Sequence, residues 1–63
     1  MHNIRFIRHD RHAEPNPVRR AVNAAEVRKA LGAELFDRLI ENALPDRSYA
    51  VEIHGYVWEA VRN

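Results

Sequence analysis

Residues 48–62, Ser-Tyr-Ala-Val-Glu-Ile-His-Gly-Tyr-Val-Trp-Glu-Ala-Val-Arg, constrain the fold of this chain more than any other stretch. β-Branched and aromatic residues alternate there with small or charged ones, the pattern of a strand with one buried side. The alternation breaks once, at His54-Gly55. If those two residues make a tight turn, Ile53 opposes Tyr56 and Val51 opposes Trp58. Tyr49, Val51, Ile53, Tyr56, Trp58 and Ala60 then share one face. The alternative is one long strand with Gly55 in a bulge. Both readings create an apolar sheet face that the rest of the chain has to cover.

The preceding residues supply that cover. Asn23 with Glu26 three positions on resembles a capping box, so a helix is expected to start at Ala24, with Val27, Ala30 and Leu31 on one face. Gly32 follows directly. Two helices separated by this glycine are the preferred reading, and one glycine-tolerating helix is the alternative. Leu35, Phe36, Leu39, Ile40 and Ala43 form a second apolar stripe, which Leu44-Pro45 closes, because the residue before a proline is pushed out of the helical region.

At the front, Ile4 and Phe6 fall on one face of an extended segment over residues 3–8 and Arg5 on the other; Ile7 breaks the alternation. The strand is expected to fade over residues 9–12. Pro15 and Pro17 make residues 13–17 a connector. Residues 17–22, Pro-Val-Arg-Arg-Ala-Val, read equally as a short second strand or as an extended lead into the helix. The expected fold is therefore a small α+β domain spanning residues 1–63, in the order β-α-α-β-β. Its antiparallel sheet, the N-terminal strand plus the C-terminal hairpin, packs against two short helices. A hairpin alone is marginal in water, which gives the N-terminal strand a reason to join it.

Size adds a demand. A chain of 63 residues buries only about 60% of its unfolded surface, and with no cysteine it has neither disulfides nor thiolate zinc sites to support a small core. Self-association, most simply as a homodimer, is the expected remedy. No apolar run approaches the ~20 residues that cross a bilayer, and the first residues lack the apolar segment of a signal peptide, so a cytoplasmic chain without membrane contact is expected.

Reactive chemistry is not expected. The one serine, Ser48, has His54 as its nearest histidine in sequence, six residues on at the suspected turn, and nothing in the pattern orients a base toward a nucleophile. His9, His12 and Glu14 are metal-ligand types, but Arg8 and Arg11 sit among them, and on a strand positions three apart point to opposite faces. No enzyme, metal or cofactor is expected.

The charge distribution is informative. Net charge is +1. Residues 1–29 hold Arg5, Arg8, Arg11, Arg19, Arg20, Arg28 and Lys29 against Asp10, Glu14 and Glu26, whereas residues 30–63 hold Arg38, Arg47 and Arg62 against Glu34, Asp37, Glu41, Asp46, Glu52 and Glu59. Such a two-ended chain suits an acidic partner for its front half. His2, His9 and His12 also lie in that half, so binding there should tighten as pH falls through the ordinary histidine range. Residues 24–32, Ala-Ala-Glu-Val-Arg-Lys-Ala-Leu-Gly, resemble the opening of helix-turn-helix units, and a helix pair followed by a hairpin is the order of a winged helix. The helix that would enter a groove, however, carries Glu34, Asp37 and Glu41 against Arg38, a poor match to phosphate.

The functional expectation is a non-catalytic small regulator or inhibitor. It would bind an acidic protein surface through Arg5, Arg8, Arg11, Arg19 and Arg20, with Tyr56 and Trp58 serving as core or as interface anchors. Chains of this size are common among phage and mobile-element regulators. The alternative is a winged-helix-like DNA-binding regulator.

Overall fold

The computed structural model of the chain describes residues 3–10 and 18–63. Its elements run β1 (Ile4–Asp10), β2 (Val18–Val22), α1 (Ala24–Leu31), α2 (Ala33–Asn42), β3 (Tyr49–Ile53) and β4 (Tyr56–Arg62). The α+β class holds, with an antiparallel sheet packed against two helices. The order gains one strand, because residues 18–22 pair with β1 instead of leading loosely into the helix. The sheet is four-stranded, in the order β2-β1-β4-β3. The connector expected over residues 13–17 lies outside the described residues.

The C-terminal segment is a hairpin and not one bulged strand. His54 (φ 53°) and Gly55 (φ 82°) both take positive φ, as a two-residue turn matched to the right-handed twist of its strands requires. Ile53 opposes Tyr56, Val51 opposes Trp58 and Tyr49 opposes Ala60. β1 lies on the other side of β4, with Phe6 beside Ala60 and Arg8 beside Trp58. β1 does not fade at residue 9. It continues through Asp10, because His9 and Asp10 are paired on both sides, with Arg19 and Val18 of β2 and with Val57 and Tyr56 of β4.

Between the two strand pairs, the chain makes two helices. The Asn23 side chain accepts the Glu26 amide at 2.8 Å and caps α1. Gly32 (φ 86°, ψ 157°) ends α1 and begins α2, a conformation open in practice only to glycine. Phe36, Leu39, Ile40 and Ala43 turn toward the sheet. Leu35 is half-buried, and Ala30, expected on the buried face of α1, is exposed.

The core consists of Phe6, Val27, Leu39, Ala43, Trp58 and Ala60, with Phe6 stacked on Phe36 at 5.7 Å between ring centroids. Trp58 is a core residue, and Tyr56 is half-buried and packs against the cluster. Arg62 ties β4 to the end of α2: its Nε donates to the Ala43 carbonyl at 2.7 Å and a terminal nitrogen donates to Ile40 at 2.9 Å. The Ile40 carbonyl also accepts the Ala43 amide at 3.2 Å, and both acceptors lie at the negative C-terminal end of α2, where a cation is stabilising. Arg62→Ala is expected to cost about 1–3 kcal/mol, read as a lower urea midpoint. An unchanged midpoint would show that water replaces the guanidinium without loss.

Candidate functional site

The sheet order puts β1 and β2, which carry Arg5, Arg8, Arg19 and Arg20, at one edge. Strand alternation then divides the arginines. Arg8 and Arg20 are cross-strand neighbours on the face that also carries Phe6 and faces the helices. Arg5 and Arg19 project from the opposite face, Arg5 beside Val61 and Arg19 beside His9. Arg5, Arg19 and Arg20 are exposed, whereas Arg8 is half-buried. Arg11 lies outside the described residues.

Arg8 differs from the others in its surroundings. Its guanidinium carbon sits 4.3 Å from the centre of the Tyr56 ring and 5.9 Å from that of Trp58, within cation–π range of both. Its Nε and the Trp58 Nε1 are shielded from water and have no hydrogen-bond partner among the described residues, and the stacking on the two rings holds the guanidinium in place. Arg8 therefore extends the core outward, with Arg20 as its cross-strand neighbour on β2.

Among the described residues, the one ion pair involves none of these arginines: it joins His9 and Glu59. A cleft of about 550 Å³ opens at the same edge, lined by the apolar Ile4, Phe6 and Val22 together with Arg5, Arg19 and Arg20. β2 is exposed along almost its whole length, with Val18 51% exposed. Cationic side chains on both faces of a free strand edge, beside a partly apolar cleft, form the candidate site.

The second sheet face, covered by neither helix, holds a polar cluster that the sequence reading missed. Glu59 accepts the Ser48 hydroxyl at 2.7 Å on one oxygen, and its other oxygen lies 3.0 Å from His9 Nε2. Serine and histidine both contact the carboxylate, with no described contact between them, so the base-to-nucleophile bond of hydrolytic catalysis is lacking in this geometry. The signal that could have found the cluster is parity. Glu59 alternates with Trp58 and Ala60 and so must face away from the core, as His9 must relative to Arg8. Among the described residues, no three histidine, aspartate or glutamate side chains converge on a point where a metal ion could sit. Of the proposed metal ligands, His12 and Glu14 lie outside the described residues.

The Ser48 hydrogen bond, then the one from His9, holds the Glu59 carboxyl below its ordinary range, with the charge of Arg19 adding a smaller pull and burial opposing it. Arg5 and Glu52 are the other charged groups on that face. Because the folded-state pKa is depressed, Glu59 contributes stability above its ordinary value of 4.5, and that contribution disappears as pH falls through the lower folded-state pKa. The melting temperature is expected to drop on acidification below about pH 4.5, less steeply in Glu59→Gln. Parallel acid profiles for the two proteins would remove Glu59 from the account.

No family model, curated protein or solved structure matches the chain.

Proposed function

We propose that the chain is a non-catalytic binding protein, a small regulator or inhibitor that docks through its β1–β2 edge onto an acidic surface of another protein. The observation that carries this reading is the cluster of Arg5, Arg19 and Arg20, exposed and, among the described residues, outside any ion pair, around a cleft with apolar walls. Positive charge at such an edge steers an acidic partner and suppresses basic ones, while the apolar walls supply contact area. Arg8, stacked on Tyr56, adds a cation of fixed position.

The winged-helix alternative has less support. α2 presents Glu34, Asp37 and Glu41 as exposed carboxylates with Arg38 among them, and such a surface repels a phosphate backbone. The described fold also carries a strand pair ahead of its helices, giving a continuous four-stranded sheet in place of a hairpin wing beside a helical core.

The test is affinity capture from the native host after nuclease treatment, at low and high salt. The reading predicts retention of an acidic protein that elutes as salt rises. Recovery of nucleic acid without nuclease, and of nothing with it, would favour the alternative.

A further inference from the structure

We infer that the partner is recognised by strand addition: an extended segment with two consecutive acidic residues pairs along β2 as a fifth strand of the sheet. This rests on the reading of the basic edge as a docking surface and names its mode of binding. β2 ends the sheet of the described residues, so among them one side of its backbone has no neighbouring strand, and its five residues Val18–Val22 are exposed or half-exposed. Such an edge is a template for another chain, with main-chain hydrogen bonds giving affinity and alternate side chains giving specificity.

The side chains of β2 define the incoming strand. Arg19 and Arg20 are adjacent and point to opposite faces, so a strand lying beside them meets one cation on each face. A single carboxylate satisfies one of them; two in succession satisfy both. Val18 and Val22 flank the pair on the Arg20 face, Val22 opposite Phe6 in the cleft wall and Val18 opposite Asp10 at the other end of the strand. In antiparallel register the complement reads apolar, small, acidic, acidic, apolar.

A second copy of β2 fits badly. Two-fold pairing centred on Arg20 or between Arg19 and Arg20 sets arginine opposite arginine, and like charges directly opposed are destabilising. β3, the other edge of the sheet, offers Glu52 as its one carboxylate. Both comparisons leave an acidic segment from a different protein as the occupant.

The probe is a labelled peptide, Thr-Thr-Val-Ala-Glu-Glu-Val-Thr-Thr, and two versions of it methylated on every second backbone amide, in one phase or in the other. Charge is the same in all three. Strand addition predicts that one methylated phase loses at least about tenfold in affinity, since each blocked bond is worth roughly two- to tenfold, while the other phase binds like the parent. Amides of Val18–Val22 should also gain protection from hydrogen exchange when the parent peptide is bound. Equal binding by all three peptides would overturn strand addition and leave a purely electrostatic surface. Binding by none, at low salt, would overturn the docking reading as well. An apparent mass by light scattering that rises above 7.4 kDa with protein concentration, and stays at the monomer value in Arg19→Glu/Arg20→Glu, would identify a second copy as the occupant and overturn the inference.

Discussion

Leu39→Ala is expected to leave little or no folded protein at 37 °C. Leu39 is fully buried at the centre of the helix-to-sheet interface, and two of the five residues that share the core with it, Ala43 and Ala60, are too small to move into the space it would vacate. Truncating a buried leucine costs about 2–5 kcal/mol, more where neighbours collapse poorly. A domain of this size holds only about 3–9 kcal/mol in total. Thermal melting followed by circular dichroism should show the midpoint fall by at least about 10 °C, or no cooperative transition at all. Leu35→Ala is the internal control: Leu35 is half-buried on the same helix and should shift the midpoint far less. Equal shifts in the two variants would mean that α2 is seated on the sheet by a different face.

The second large effect concerns binding. Arg19→Glu/Arg20→Glu is expected to weaken the captured partner's affinity by at least about a hundredfold, because each reversal exchanges an attraction for a like-charge contact. The fold should tolerate both changes. The two side chains are exposed, and Arg20 already stands beside Arg8, so a glutamate there gains an opposite charge across the strands. Arg19→Glu replaces the attraction to Glu59 with a repulsion, which offsets that gain, so a variant that melts near the wild-type temperature and does not bind is the predicted combination. Affinity within a few-fold of wild type in that variant would remove the β2 arginines from the interface.

How far the sequence foretold these features depends on how local each of them is. The hairpin register follows from alternation on either side of His54-Gly55, the start of α1 from Asn23 and Glu26, and the split between the helices from Gly32, all signals within a few residues of one another. β2 was ambiguous because Val-Arg-Arg-Ala-Val buries almost nothing. With no buried side there is no period to read, and its extended form depends on pairing with β1. The extension of β1 through His9 and Asp10 has the same origin in strands on both sides.

The arginines of the candidate site were legible as a group from composition alone. Their division into Arg8 and Arg20 on one face and Arg5 and Arg19 on the other was not, since it depends on which residue of β2 stands beside which of β1. Arg8 illustrates the difference: its sequence neighbours suggest a free cation, and its cross-strand neighbours, Trp58 and the adjoining Tyr56, make it half a core residue. Glu59 of β4, His9 of β1 and Ser48, just ahead of β3, meet through the sheet, far beyond the reach of spacing rules.

Backbone amide shifts, mapped while the acidic peptide is titrated into the labelled protein, show whether the β1–β2 edge is the docking surface. Docking there moves amides at Ile4–Ile7 and at Val18–Ala24, with changes that fade as salt is added. Changes centred on α2, or on the His54-Gly55 turn with β2 silent, would contradict it.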